Sequence, residues 1–294
     1  YGLLSGKVLG NTYVTMNGGY VVRSVYGGGN MASVGKGNYT GAPDDYSTTG
    51  YGECVTTASA MADTLNSGNT FVTITGGQLG YLNPSNPDKV IKDGLPYGSV
   101  YGGCRGEVQR DVPRTLTPRI LYSPEDFLGY VNKTHVVIGS ATGSGTGPRL
   151  YGSVYGGGQD GQVRWNTIIT FNKGEIGVDF GGLELIADDE TIQNDPNSPH
   201  WTNRGNVYGA GSGIGQYTDA SNVKHYSYIS GSVTQFTNVE IKGGTIHNNV
   251  YGGGNLATVG PPRISQTVDC PADKTGVTVN IKGNAEIGKN TSHL

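Results

Sequence analysis

The chain has 294 residues, of which 51 are glycine, and it carries a net charge of −3. Charged residues make up 15% of it, which argues against charge-driven disorder, and the lack of glycine at every third position excludes collagen. The small negative charge leaves no basic footprint for nucleic acid, and no apolar run approaches the ~20 residues of a membrane span. We therefore predict neither a nucleic-acid partner nor a membrane span in this segment.

A strand pattern appears first in the chain and recurs along it. In outline it is Thr-x-Val-x-Ile-x-Gly-Gly-x-Ile, and six full or partial copies lie at 11–21, 69–79, 133–139, 166–176, 236–246 and 277–287. Aliphatic residues such as Val239 and Ile241 alternate with polar neighbours, which puts one side of a strand inward and the other outward. The glycines turn the chain where a Cβ would clash, and the last apolar residue begins a second short strand.

The motif Val-Tyr-Gly-Gly-Gly, or a close variant, accompanies the strand pattern five times. Its structural positions are Tyr26, Tyr101, Tyr155, Tyr208, Tyr251 and Gly27, Gly102, Gly156, Gly209, Gly252. Recurrence of this kind is typical of stacked units. We expect Val-Tyr to form a third short strand and the tyrosines to stack into a ladder. Asn30 and Asn255 follow the glycines, and we expect them to stack as an amide ladder.

Three short strands separated by glycine corners predict an all-β fold, a parallel β-helix whose coils pair at ~4.8 Å. Because one coil cannot bury its own apolar side, at least ~3 coils are needed. The alternative is a β-propeller or a β-sandwich, since two motif spacings are close to the ~40–45 residues of a propeller blade. A blade, however, requires four comparable apolar runs, whereas each repeat supplies one strong strand and two short ones.

Uneven spacing between the motifs predicts loop excursions that leave the stack. We expect them near 37–66, 81–97, 105–132, 179–204 and 213–233. Helix signals are scarce. Ser123 as an N-cap and Pro124 in the first turn favour a short helix over 123–128, and residues 56–65 are the other candidate.

The chain is interpreted as a single solenoid segment, residues 1–294. It opens on Tyr1-Gly2, which is similar to the tail of another Val-Tyr-Gly motif. Residues 280–288 are similar to the front half of a repeat. The segment is therefore expected to be a piece of a longer repeat protein or a processed product.

No metal or cofactor site is predicted. Neither a CxxC pair nor a Cys/His cluster appears among the three cysteines and five histidines. A Cys54–Cys104 disulfide is conceivable because both residues adjoin motif turns, but geometry must decide it. The stretch 156–161 is the nearest match to a calcium-binding nonapeptide, yet Asp160 comes one position early and is interpreted as a solvated turn residue.

Residues that could contact a ligand are few. The densest acidic group, 188–190, lies in an expected excursion and is typical of a solvated loop, so no catalytic residue is assigned. Aromatic side chains would suit sugar rings, but the favoured interpretation is that they seal loops against the solenoid, because large aromatic side chains dominate buried contacts. The ligand-contact candidates are Trp165, Trp201, Tyr217, Tyr226 and Tyr228.

The combined pattern resembles glycine-rich repeat regions of very large surface proteins of Bacteroidota. It is nearly complete at 236–255 and 11–30, and it is split between 166–177 and 207–211. The resemblance implies an exported β-solenoid on the cell surface or outside the cell, with long copies acting as adhesins or stalks. It carries over no catalytic motif. The tripeptide around Thr64 is similar to the O-glycosylation sequence of these bacteria.

Two functions from different classes remain open. The first is a non-catalytic structural or adhesive protein that contacts glycans or surface proteins and associates with itself end to end, up to a filament. The second is a carbohydrate-active β-helix enzyme, a polysaccharide lyase or glycoside hydrolase, or a glycan-binding module. An enzyme requires a groove in which acidic and basic side chains lie within reach of one another.

Overall fold

The structure is a computed structural model that describes residues 6–35, 67–80, 98–106, 129–177, 205–213, 217–218, 222, 224–225, 230–260 and 275–288. The predicted helices at 56–65 and 123–128, and the excursions at 37–66, 81–97 and 179–204, lie outside these ranges. Strands are the only regular elements among the described residues. None of these residues forms a helix of the length and apolarity that crossing a membrane requires.

The chain folds as a parallel β-helix, as the sequence predicts. Its largest sheet, the long-strand sheet, contains Thr12–Met16, Asn69–Ile74, Lys133–Ile138, Asn166–Phe171, Phe236–Ile241 and Gly276–Ile281, paired in that order. A second sheet contains Tyr20–Val21, Gln78–Leu79, Arg149–Leu150, Glu175–Ile176, Thr245–Ile246 and Glu286–Ile287. A third, the Val-Tyr sheet, contains Val25–Tyr26, Val100–Tyr101, Val154–Tyr155, Val207–Tyr208 and Val250–Tyr251. We number the coils 1 to 6 by their long strands.

The register of the long-strand sheet places equivalent residues in columns that run along the axis. The inward column Val14, Val72, Val136, Ile169, Val239 and Val279 is aligned residue by residue across all six coils. In coils 2 to 5 these side chains are buried and pack with inward residues of the other two sheets into one core. Alternation in the sequence is thus converted into a continuous apolar interior.

A threonine in each of the first five coils crosses the interior to the opposite corner. Its hydroxyl donates to the carbonyl of the glycine that follows the motif tyrosine, at 2.5–2.6 Å. The pairs are Thr12–Gly27, Thr70–Gly102, Thr134–Gly156, Thr167–Gly209 and Thr237–Gly252. Each of these five hydroxyls thus has an acceptor, which removes the penalty for burying it.

The expected tyrosine ladder is present. Neighbouring rings of Tyr26, Tyr101, Tyr155, Tyr208 and Tyr251 stack with centroids 4.7–4.9 Å apart and planes within 7° of parallel. The three inner rings are buried and form a cluster separate from the main core. The phenol of Tyr26 donates to the side-chain oxygen of Gln159, which lies at the next corner of the coils.

Each coil is closed by a fourth position, a very short strand or bridge that the sequence-based prediction lacks. Tyr130–Val131 pairs with Gln162–Val163, and isolated bridges continue this column through Val233 to Val259. Val34, Val131, Val163 and Val233 pack there with Cys104 and Ala210 into a second small core. The framework therefore reaches into the ends of the expected excursions at 105–132 and 213–233. Between 213 and 230, Tyr217–Thr218 pairs antiparallel with Lys224–His225.

The expected asparagine ladder is not formed. Asn30 and Asn255 do share a corner column, but they lie in coils 1 and 5. The bridges between them run through Arg105, then Asp160 and its neighbour Gln159, and then Ser212 in the intervening coils. Amide stacking requires like side chains on neighbouring rungs, so the two asparagines have no amide to stack against.

Cys104, which replaces a motif glycine, fills the second core with a free thiol. Its Sγ lies 3.2 Å from the carbonyl of Ala32, and burial raises the pKa of the thiol to about 12. The conceivable Cys54–Cys104 disulfide is thus not formed at Cys104. A buried, protonated thiol of this kind behaves as a small apolar side chain.

The threonine column yields a direct test of its hydrogen bonds. Thr134→Val keeps the side-chain shape but leaves the buried Gly156 carbonyl without its donor, so we expect a loss of about 1–3 kcal/mol in unfolding free energy. Thr73→Val, on the outward side of the same sheet, should change it by less than about 0.5 kcal/mol. Denaturant unfolding of both variants measures the difference. Equal losses would contradict the role of the internal hydroxyl.

The glycine corners yield a second test. A Cβ on Gly102 would lie 2.2 Å from the Gly156 carbonyl oxygen, whereas a Cβ on Gly253 would meet nothing within 4 Å. We expect Gly102→Ala to destabilise the fold by at least about 2 kcal/mol, because the obstructing atom is backbone. Gly253→Ala should lie within about 0.5 kcal/mol of the parent chain in thermal unfolding. A tolerated Gly102→Ala would argue against the close approach of the coils.

Burial of the tyrosine ladder makes stability depend on alkaline pH. Burial raises the pKa values of Tyr101, Tyr155 and Tyr208 above the ordinary value of 10. The stabilisation is therefore complete below pH 10, and it falls as the pH rises further, because the unfolded chain ionises first. Denaturant midpoints from about pH 9 to about pH 11 should decline. Tyr155→Phe should make that decline shallower, and an unchanged slope would contradict this origin.

Candidate functional site

The outward side of the long-strand sheet is the largest regular surface among the described residues. Three columns of side chains project from it. The column at the start of the strands contains Asn69, Lys133, Asn166 and Phe236. The second contains Tyr13, Phe71, His135, Ile168, Asn238 and Thr278, and the third contains Thr15, Thr73, Val137, Thr170, Glu240 and Asn280. We call the part of the second and third columns in coils 1 to 4 the apolar face, because its eight side chains are aromatic, aliphatic or threonine, and Lys133 lies at its margin.

Three rings stack along the second column, within the apolar face. Tyr13 and Phe71 have centroids 4.9 Å apart, and Phe71 and His135 have centroids 4.8 Å apart, with planes within 12° of parallel. Since each ring covers the face of the next, Phe71 and His135 present mainly their edges to solvent. Tyr13 ends the stack and is 71% exposed. It is the member of the stack with a ring face open to a ligand.

Charge is low across the apolar face. Burial, followed by the positive charge of Lys133, lowers the pKa of His135 below its ordinary value, so its imidazole is neutral at pH 7. The other seven side chains of the apolar face carry no charge at that pH. The face therefore offers contact through apolar area and threonine hydroxyls rather than through ion pairs.

Coils 5 and 6 continue the same side of the sheet with charged groups. The Glu240 carboxylate lies between the ammonium groups of Lys242, at 2.8 Å, and of Lys282. Hydrogen bonds from both lysines hold the pKa of Glu240 below its ordinary value. All three side chains are exposed enough for solvent to screen them, so this triad contributes little to stability. It marks the boundary of the apolar face.

A polar cluster lies on the outward side of the second sheet. The Glu175 carboxylate has one oxygen 3.4 Å from Arg149 Nε and the other 2.7 Å from His247 Nε2. The His247 side chain is 8% exposed, and the Arg149 guanidinium also lies 5.0 Å from the centre of the Tyr151 ring. Both carboxylate oxygens thus have partners within the framework.

Of the residues expected to contact a ligand, the structure describes two, Trp165 and Tyr217. Trp165 is buried, with 1% of its surface exposed, so it seals the corner of a coil rather than offering a platform for a sugar. Tyr217 lies in the strand Tyr217–Thr218. Trp201, Tyr226 and Tyr228, and likewise Thr64, Cys54 and the acidic group at 188–190, lie outside the described residues.

The parts of the chain that the structure describes contain no set of side chains that could bind a metal ion. No group of three or more His, Cys, Asp or Glu side chains lies close enough there to hold an ion. Asp160, the residue nearest to a calcium motif, adopts a positive φ of 56° and accepts a hydrogen bond from Ser230 at 2.6 Å. Its carboxylate is used within the corner of the coil.

The apolar face was missed at the level of sequence, although a signal for it exists. Tyr13, Phe71, His135 and Ile168 all occupy the same offset, the position between the inward threonine and the inward valine or isoleucine. Aligning the six strand copies makes the column visible.

Comparisons with protein-family models, with curated proteins and with solved structures gave no match to the chain.

Proposed function

We propose that this chain is a rigid segment of a non-catalytic structural or adhesive repeat protein, carried on the outside of a bacterial cell as a stalk or adhesin. The observation that carries the proposal is the unbroken register of the long-strand sheet through six coils. In a solenoid each coil contacts only its neighbours, so such a stack is a rod that holds surfaces at fixed spacing. The motif resemblance to Bacteroidota surface repeats supplies the proposed location.

The framework gives little support for catalysis. The inward threonines, the tyrosine ladder and the glycine corners are all engaged in contacts between or within coils. The side chains of the apolar face take no part in these contacts and lie on the outer surface of the described coils. We therefore assign contact with a host or bacterial surface to that face.

Geometry favours a flat partner over a stacked sugar. Sugar rings bind to the open faces of aromatic rings, and within the stack of Tyr13, Phe71 and His135 the inner faces are covered by neighbouring rings. A single saccharide could stack on Tyr13, whereas the remaining face suits an extended surface such as a protein. Protein contact is the first choice, and glycan binding at Tyr13 is the second.

The enzyme alternative depends on the cluster of Arg149, Glu175 and His247. It combines a carboxylate, an imidazole and a cation, which are the groups that a polysaccharide-cleaving site uses. Both oxygens of Glu175 are already paired, and His247 is nearly buried. The cluster is explained by cross-strand pairing on the second sheet, so it supports the scaffold function better than catalysis.

Binding to immobilised mucin, to collagen and to a glycan array tests the proposal. We expect binding to at least one of the protein surfaces. The double variant Tyr13→Lys with Ile168→Lys should weaken it by at least about tenfold, because two lysines interrupt the apolar face. Asn238→Lys with Thr278→Lys adds the same charge to the same column in coils 5 and 6, and it should change binding by less than about twofold.

Three results would overturn the proposal. The first is failure to bind any of the probes, and the second is equal weakening by both double variants. The third is saturable cleavage of a polysaccharide, measured with and without calcium. Thermal unfolding of each variant ensures that a loss of binding does not come from loss of the fold.

A further inference from the structure

Two consecutive side chains that follow the fourth position of coil 4 carry hydrogen-bond donors that the described coils do not use. The indole Nε1 of Trp165 and the Nε of Arg164 are both buried, and neither has an acceptor among the described residues. Trp165 is 1% exposed, whereas Arg164 is partly exposed. An unpaired buried donor costs free energy, and native proteins pair nearly all of them. These two N–H groups therefore require an acceptor that the described coils do not supply.

The path of the chain explains why these neighbouring side chains lie together. To connect the valine of the fourth position to the inward threonine, coil 4 uses three residues where coil 3 uses two. An extra residue of this kind interrupts the alternation of a strand and redirects a side chain. The guanidinium carbon of Arg164 accordingly lies 5.8 Å from the centre of the Trp165 ring, within the range of a cation–π contact. The two donors thus belong to one place on the surface of the rod.

The neighbouring coils hold both residues in position. The backbone N–H of Arg164 donates to the Val131 carbonyl, and that of Trp165 donates to the Asn132 carbonyl, both at 2.9 Å. From the other side, the Gln235 N–H donates to the Trp165 carbonyl at 3.0 Å. Because coils 3 and 5 are both described at this level, the arrangement is built within the rod and does not depend on either end. Donors that are already ordered bind a ligand at a lower entropic cost.

The positive charge of Arg164 has no counter-charge among the described residues. Those residues include four acidic side chains, each of which has another partner: Asp160, Glu175, Glu240 and Glu286. Burying a cation without an opposite charge is costly, and burial of charged groups in proteins is normally accompanied by pairing. An anion beside the guanidinium would remove that cost and would also supply the missing acceptor.

Tyr130 shows on which side of the coil the guanidinium lies. It pairs with Gln162, and Val163, between Gln162 and Arg164, points into the second small core. Alternation therefore directs Gln162 and Arg164 outward. Burial raises the pKa of Tyr130, and the positive charge of Arg164 opposes that rise, so the guanidinium lies near the phenol. A ligand from solvent would meet the partly exposed guanidinium first and the buried indole N–H behind it.

We propose that Arg164 and Trp165 form a carboxylate-binding site, in which one carboxylate group accepts hydrogen bonds from Arg164 Nε and from Trp165 Nε1. Guanidinium groups favour planar oxyanions, and a charge-assisted hydrogen bond is stronger than a neutral one. Neither side chain has an acceptor atom, so a cation or a ligand that only donates would gain nothing from them. The carboxylate comes from a small organic acid or from an acidic sugar, which share this chemistry.

The carboxylate site goes beyond the proposed function, because it shares no residue with the apolar face. It also gives Trp165 a contact that burial of its ring does not prevent, since the indole N–H and not the ring face would meet the ligand. With two hydrogen bonds, one of them charge-assisted, a simple carboxylate should bind weakly, with a dissociation constant on the order of 1 mM.

Trp165 can report on its own site. The chain has two tryptophans, so Trp201→Phe leaves Trp165 as the only one. Sodium acetate and sodium glucuronate should change the Trp165 emission saturably, whereas glucose and sodium chloride at equal concentration should not. Tighter binding of glucuronate than of acetate would support the site with acidic sugars as its ligands. Equal binding would support a site that recognises the carboxylate group alone.

Variants at the site separate hydrogen bonding from general charge. Arg164→Gln should weaken acetate binding by at least about tenfold, because it removes both the charge and Nε–H. Arg164→Lys keeps the charge without Nε–H and should weaken binding by at least about threefold. Lys173→Gln removes the same charge from an exposed side chain of the same coil, and it should bind acetate as the parent chain does.

Thermal unfolding measures the same binding without the fluorescence signal. Acetate should raise the unfolding midpoint of the parent chain, because a ligand that binds the folded state stabilises it. The rise should be absent in Arg164→Gln and reduced in Trp165→Phe, which removes the indole N–H. If Arg164→Gln does not fold, Arg164→Lys and Trp165→Phe test the site in the same way.

Three results would overturn the carboxylate site. The first is a Trp165 emission that neither carboxylate changes saturably. The second is an equal response to sodium chloride, which would indicate screening of charge and not a site. The third is binding at the parent strength by Arg164→Lys or an undiminished thermal shift in Trp165→Phe, since either would show that the two donors do not bind the carboxylate.

Discussion

The carbonyl of the first glycine after each motif tyrosine is the point on which the coil depends. On one side it accepts the hydroxyl of the inward threonine, as Gly156 does from Thr134 at 2.5 Å. On the other side it lies against the glycine of the preceding coil, where a Cβ on Gly102 would come within 2.2 Å. The same oxygen thus closes its own coil and sets the distance to the next. Threonine and glycine recur together because each requires the other.

The columns that carry these contacts could be predicted from the sequence, and the contacts at the corners could not. Alternation around Val239 and Ile241 fixes which residues point inward, and the repeated Val-Tyr places the tyrosines one above another. The asparagine ladder is not formed because Asn30 lies beside Arg105 and Asn255 lies beside Ser212 on the neighbouring rungs. A side-chain ladder forms only where like residues lie on neighbouring coils, so similarity between distant repeats is not sufficient to predict one.

The fourth position of the coil escaped prediction for a related reason. Its column of single valines, among them Val131 and Val233, is flanked by chain of very different length in each repeat. Two buried residues per coil give no periodicity that a pattern can detect. The apolar face could not be predicted from the repeat pattern, because the identity of its outward residues varies from tyrosine to threonine between copies. Its stacking emerges once the register puts Tyr13, Phe71 and His135 on consecutive rungs.

The residues that hold each coil together are different from those in the connections, whose length varies between repeats. Residues 247–249 connect the second strand of coil 5 to its Val-Tyr strand, whereas residues 80–99 make the same connection in coil 2, and both Val-Tyr strands pair in the same register. Since the threonine–glycine bond and the ladders are made by residues fixed at the corners, the length of chain between corners does not alter the rod. Sequence change can then accumulate in the connections without loss of the scaffold, as a variable contact protein requires. The outer columns are equally independent, because replacing Phe71 or Ile168 changes no inward contact, and the rod can acquire a new partner while keeping its core.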